Sequence, residues 1–209
     1  MMKTYRKTMI FTSVLILLPI LAGVMLWNQL PAEIATNFGA KNEVTDTSNK
    51  PFVVFGIPLL MLMLQWICLI ATLNDPKKKN ISKKILSVLL WLIPIITILT
   101  MSLIYLNALG IPVNVGRFAN LLIGVLFMVI GNYLPKCRQN YSVGIRCAWT
   151  LSSEENWNRT HRLAGWVYLL SGILFLVNSI FLWTWLMVAL IVLACTPMLY
   201  SYLLYKKGI

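Results

Sequence analysis

Between Gly131 and Gly165 the chain reads GNYLPKCRQNYSVGIRCAWTLSSEENWNRTHRLAG, and it gathers there five of the eighteen Lys and Arg, the only His and two of the six acids. Three chemistries suit such residues. Glu154, Glu155 and Arg159 set two carboxylates and a guanidinium on one helical turn, which could activate water. For acid–base work of that kind the chain has one His in all, His161. Cys137, Cys147 and His161 offer sulfur and imidazole to zinc, but a fourth ligand and the close-spaced pairs of a zinc site are missing. The third chemistry is recognition, in which interfacial aromatics fix a short helix and charged groups fix its register through pairing. We therefore expect no catalytic residue, no metal and no cofactor, and a binding role for Asn132, Asn140, Arg146, Trp149, Glu154, Trp157 and His161.

A second polar stretch runs from Leu30-Pro31 through Glu33, Asn37-Phe38-Gly39 and Asp46 to Lys50-Pro51. Pro and Gly at these points make turns, and the mixed charges point to an ordered loop. Glu33, Asp46 and Lys50 are its candidate binding residues.

The elements that hold these stretches are apolar. Of 209 residues 59% are hydrophobic and 11% charged, and the mean hydropathy is +0.78. Too little polar surface remains to cover a soluble core, so the protein is expected in a membrane. Spanning ~30 Å of hydrocarbon takes about 20 apolar residues in a helix. Six segments qualify, near 8–27, 52–73, 85–106, 118–134, 163–183 and 185–205. The last two form one uncharged run, about twice the length of a span, which a hairpin near Asn178 to Trp185 would divide. The first resembles a signal peptide, but it lacks an A-x-A-like site, and Val24 stands where a lipidatable Cys would be, so it reads as a span. Pro19, Pro58, Pro94 and Pro197 lie within spans and should kink them.

Lys and Arg set the orientation. A cytoplasmic N-terminus puts fifteen of them inside, against Lys41, Lys50 and Arg117 outside. The net charge of +12 then belongs to a basic face beside anionic headgroups, and no direct nucleic-acid partner is needed. The Asn74-Asp75-Pro76 turn and its lysine run read as a topology anchor. No span needs an ionisable group near its middle, which disfavours a pump or coupled carrier. Gln65 and Asn178 read as interhelical hydrogen-bonding groups.

The expectation is an all-α polytopic protein of the cell membrane with six transmembrane helices and both termini cytoplasmic. It forms one membrane domain over 1–209, with spans 1–3 and the extracellular loop in 1–110 and spans 4–6 and the 131–165 motif in 111–209. A short amphipathic helix should lie in the cytoplasmic loop between spans 4 and 5. Ser152 with Glu155 reads as its capping box, Trp157, His161 and Ala164 as its shared face, and Glu155 with Arg159 as an i, i+4 pair. Asn28-Gln29-Leu30-Pro31 and Asn132-Tyr133-Leu134-Pro135, closing spans 1 and 4, also suggest an inverted repeat of three spans plus three.

The string Asn132…Leu134-Pro135-Lys136…Asn140…Gly144-Ile145-Arg146…Trp149-Thr150-Leu151…Glu154…Trp157…Thr160-His161…Gly165 resembles the signature of the SdpI family of bacterial membrane proteins. The earlier Leu30-Pro31…Ile34…Asn37-Phe38-Gly39 is similar to the LP-x-x-I-x-x-H-F-G loop, of the DUF1648 type, that often precedes it. The sequence departs from that pattern at Asn37 where His is common, Asn42 where Gly is common, and Cys147-Ala148 where Thr-Pro is frequent. The resemblance implies a six-span immunity protein against a secreted peptide toxin of the SDP type, with a cytoplasmic transcriptional autorepressor as a second partner and membrane lipids around it. A competing resemblance is Glu154-Glu155-Asn156-Trp157-Asn158-Arg159 to the E-E-x-x-x-R motif of the CPBP intramembrane proteases, and a structural membrane scaffold is the third reading.

Overall fold

The computed structural model describes residues 2–39 and 41–209, with side chains from Tyr5 onward; the side chain of Lys3, counted above in the basic face, lies outside the described residues. Six helical stretches among these are long and apolar enough to cross a membrane: Tyr5–Met25, Phe52–Leu73, Lys83–Ala108, Val115–Lys136, Glu154–Phe181 and Thr184–Lys206. The polarity is inside out. Ile10, Leu21, Ile67, Ile180 and Val192 are more than half exposed, whereas Thr12, Gln65, Thr97, Asn120, Ser171 and Asn178 are buried. Apolar surface on the outside and hydrogen-bonding groups between helices suit a lipid solvent, and the chain is a multi-pass membrane protein.

The chain forms two units, Met1–Leu73 with Leu86–Val115 and Asn74–Ile85 with Gly116–Ile209. In the first, α1 (Met2–Met25) leads to a β-hairpin, β1 (Glu33–Phe38) paired antiparallel with β2 (Val44–Asn49). A π-helical turn, Phe52–Gly56, opens α2 (Ile57–Leu73), and α3 (Lys83–Ala108) contributes all but its first turn. Gln65 Nε2 donates to Thr12 Oγ1 at 2.8 Å, as its depth required. Tyr105 donates to the carbonyl of Pro19 at 3.0 Å, and Pro58 stands where the π-helical turn passes into α2.

The hairpin adds strand to what composition presented as wholly helical. Leu30 and Ile34, the apolar letters of the LP-x-x-I stretch, are buried with Val53, Val54, Met101 and Tyr105, so they plug the loop onto the spans. Asn42 adopts φ +64° at the hairpin tip, a conformation that Gly takes freely and Asn better than most. Its side chain donates to Val113 O at 3.1 Å and accepts from Val115 N at 2.8 Å.

In the second unit, α4 (Val115–Tyr133) meets α6 (Glu154–Phe181) through glycines. A Cβ at Gly124 would lie 2.9 Å from Gly172 O, and one at Gly131 would lie 2.9 Å from Gly165 O, so both crossings are backbone against backbone. The expected hairpin before α7 (Thr184–Lys206) is built by Asn178, which accepts from Trp183 N at 2.9 Å and donates to Asn120 Oδ1 on α4 at 3.0 Å. Leu182 closes α6 in the left-handed conformation, φ +56°.

The loop between α4 and α6 does carry a short helix, but it is α5, Ala148–Ser152. The residues expected to form it are instead the first turns of α6, one unbroken helix. The cap is Ser153, not Ser152: its Oγ accepts from Asn156 N at 3.2 Å. These turns bury Trp157 and His161 on one side and keep Glu154, Glu155, Asn158 and Arg159 exposed on the other, so the two-sided face that spacing suggested is present as the start of a long helix.

Candidate functional site

The central loop folds around side chains that accept backbone N–H groups. Asp75 is 3% exposed, and its Oδ2 accepts from Tyr141 N at 2.8 Å and Ser142 Oγ at 2.6 Å. Oδ1 takes Lys77 N at 2.6 Å. A carboxylate tolerates such burial only when its lone pairs are filled. Asn140, also buried, closes the next turn: Oδ1 accepts from Ser142 N at 2.9 Å and Val143 N at 2.7 Å, and Nδ2 donates to Arg138 O at 2.8 Å. Gln139 reaches the other way, donating to Thr150 O at 3.0 Å and Leu151 O at 2.9 Å while accepting from Lys77 Nζ.

His161 and Trp157 close the far side. Their rings stack with centroids 4.0 Å apart and an angle of 19° between planes. Trp157 Nε1 donates to Cys137 O at 2.8 Å. His161 Nδ1 lies 2.8 Å from Trp157 O and Nε2 accepts from Ile145 N at 3.0 Å, a pattern that fits a neutral ring with its proton on Nδ1. Gly144, at φ +114°, lets the loop pass over this pair; a Cβ there would lie 2.4 Å from His161 Nε2. Burial pushes the neighbouring Cys137 thiol up to about 11.

Cys147 caps α5 in a capping box with Thr150. Thr150 Oγ1 accepts from Cys147 N at 3.0 Å and donates to Ile145 O at 2.8 Å. A Thr-Pro pair at 147 and 148, the pattern named with the resemblance above, would suit this geometry as an N-cap followed by a first-turn proline. Cys147-Ala148 keeps the turn with a weaker cap.

The structure divides the candidate residues. Asn140, Trp157 and His161 are buried hydrogen-bonding members of one network. Arg146 is exposed, yet donates from Nη1 to Tyr141 O at 2.6 Å. Trp149 packs on Tyr202 at 5.4 Å and Tyr205 at 6.4 Å, with its indole N–H lacking a partner among the described residues. Asn132 accepts from Lys136 Nζ at 2.9 Å on the surface, and Glu154 is exposed at the start of α6. In the first unit, Glu33 is exposed, and Asp46 pairs across the hairpin with Asn37 at 3.4 Å. Lys50 is structural, since Nζ donates to Trp27 O at 3.0 Å and Leu30 O at 2.7 Å at the end of α1.

Sequence reasoning missed Asp75, Gln139 and Asn156. The turn at 74–80, read above as a topology anchor alone, is the clasp of the site. A signal was present: Asp75 is the only acid between Asp46 and Glu154, and an anchor of lysines needs none. Asn156 Nδ2 donates to Ser201 O at 3.0 Å and Ile209 O at 3.1 Å, tying α6 to the end of α7.

In the E-E-x-x-x-R stretch both carboxylates, Glu154 and Glu155, are exposed. Glu155 and Arg159 form the expected i, i+4 pair at 2.5 Å on the exposed face, while His161 spends both nitrogens on backbone groups inside.

Comparison with known proteins follows the same two stretches. Residues 136–201 match the SdpI/YfhL protein family, and residues 14–62 match a domain of unknown function, DUF1648. Immunity protein SdpI of Bacillus subtilis (strain 168) is 27% identical over 209 residues, covering 96% of this chain and 97% of that protein. Over residues 136–201 the chain is similar to the SdpI/YfhL family. No solved structure matches it. The SdpI match takes in Asn140, Arg146, Trp149, Glu154, Trp157 and His161, and the DUF1648 match takes in Glu33, Asp46 and Lys50.

Proposed function

We propose that this protein gives immunity to a secreted antimicrobial peptide toxin of the SDP type. The observation that carries the reading is the end-to-end similarity to immunity protein SdpI, which spans both polar stretches and leaves no large region of either chain unmatched. The protein works by binding and is not an enzyme. Both termini and the central loop face the cytoplasm, the β-hairpin faces the outside, and the toxin meets Glu33 and Asp46 first. Signalling to a cytoplasmic autorepressor uses the central loop, where Arg146 and Glu154 are among the exposed charges. The buried Asn140, Trp157 and His161 hold that surface in shape.

Expression of the full chain in a toxin-sensitive host tests the reading. Increased survival is expected, and unchanged survival at normal membrane abundance sinks it. Arg146→Ala and Glu154→Gln separate recognition from scaffolding: normal abundance with lost survival or lost reporter induction places the activity in the loop. Survival and induction that fall only as abundance falls reduce the loop to support.

A further inference from the structure

Beside the clasp, the second unit contains a cleft of about 320 Å³ lined by Lys79, Asn80, Ser82, Lys84, Tyr133, Lys136 and Arg138. Four of the seven lining side chains are cationic and none is a carboxylate. Like charges gathered around one cavity repel one another, and an anion inside it relieves the repulsion. The protein provides no such anion there. Asp75 is buried and filled by Lys77 N, Tyr141 N and Ser142, and Glu155 is paired with Arg159.

The walls are held in place without help from a ligand. Asn80 Nδ2 on one wall donates to Gln139 O, next to Arg138 on the other, at 2.7 Å. The Asp75 bonds to Tyr141 and Ser142 fix the same two segments a few residues away. A preorganised set of donors binds an anion without first meeting the cost of ordering its own side of the site. Lys136 Nζ also lies 5.5 Å from the Tyr133 ring centroid, which restrains that cation. Depth indicates the anion. The cleft lies between the end of α4 at Tyr133 and the start of α3 at Lys83, and the ends of spanning helices sit in the headgroup layer, where phosphates are concentrated.

We propose that this cleft is a phosphate-binding site whose ligand is the phosphate group of an anionic phospholipid. Asn80, Ser82 and Tyr133 supply polar groups, and Lys79, Lys84, Lys136 and Arg138 supply the charge.

The test uses the full chain purified in a neutral detergent, with lipid retention read by native mass spectrometry and stability by thermal melting. Phosphatidylglycerol should be retained in preference to phosphatidylcholine. Lys136→Gln with Arg138→Gln, and separately Lys79→Gln with Lys84→Gln, should each weaken that preference roughly thirtyfold, at about 1 kcal/mol per cation near the membrane surface. Lys206→Gln with Lys207→Gln removes the same charge elsewhere and should leave the preference intact. All six side chains are exposed, and a matching elution profile verifies the fold of each variant. In a second arm, inorganic phosphate replaces the lipid. A melting shift with phosphatidylglycerol alone assigns the site to the headgroup, whereas an equal shift with inorganic phosphate assigns it to a soluble phosphate. No cleft-dependent shift with either, or equal loss in the cleft and control variants, overturns the site.

Discussion

The Asp75 carboxylate receives the backbone N–H of Tyr141 at 2.8 Å, closing a bridge across 66 residues of sequence. Its other oxygen holds Lys77 N, so all three groups it faces are donors. Asp75→Asn preserves shape but turns one side of the group into an NH2 aimed at a donor. We expect it to cost about 2–3 kcal/mol, seen as a lower melting temperature in detergent and reduced membrane abundance, because hydrogen bonds to charged groups contribute on that scale. An unchanged melting temperature would mean that the clasp contributes nothing to the fold.

Gly144 and His161 make a second test. Gly144→Ala adds strain at φ +114° and drives a methyl into His161 Nε2, for a loss of about 1–3 kcal/mol. His161→Ala leaves Ile145 N–H without its acceptor, again about 1–3 kcal/mol, but opens the space. The double variant should therefore lose less than the sum of the singles, and strict additivity in melting measurements would show that the two sites do not touch.

Cys147→Thr with Ala148→Pro should stabilise the protein. Thr is the better N-cap and Pro the better first helical residue, and together they are worth about 1 kcal/mol. A lower melting temperature would show instead that the 3.8 Å contact of Cys147 Sγ with Ser201 Oγ outweighs the cap.

Cys147 also reports orientation. It is partly exposed, whereas Cys137 is buried with its thiol pushed up to about 11, and thiolate is the reactive form. With Cys68 and Cys195 replaced by Ala, an impermeant maleimide should spare intact cells and label Cys147 after permeabilisation, leaving Cys137 silent in both. Labelling of intact cells would place the central loop outside.

The number and order of spans were readable because lipid imposes a simple rule on length and polarity, and Asn178 marked the last turn as a polar residue in an otherwise uncharged run. The hairpin was not readable. Its strands are short and polar, and what fixes them is burial of Leu30 and Ile34 by residues far along the chain. The two Asn-x-Leu-Pro matches close α1 and α4 as expected, yet one leads into a strand and the other into a 3-10 turn, Leu134–Lys136. At the candidate site, Trp157 and His161 could be placed on one helical face from spacing alone. That this face points inward, and that Asp75 meets Tyr141, depends on contacts between distant segments, which spacing cannot express.

One property of α6 reaches beyond packing. It runs 28 residues without interruption, a rod of about 42 Å, against a hydrocarbon layer of ~30 Å. Its apolar part, from about residue 163 onward, is near that thickness, so the polar first turns from Glu154 to Arg162 extend past the hydrocarbon as an outer arm. The residues from Cys137 to Ile145 hang from Trp157 and His161 on its first turns, so the helix is a lever with this loop on its outer arm. Ten degrees of tilt would carry the loop roughly 7 Å sideways along that length, so any change in the inclination of α6 is also a change in where Tyr141 and Arg146 stand.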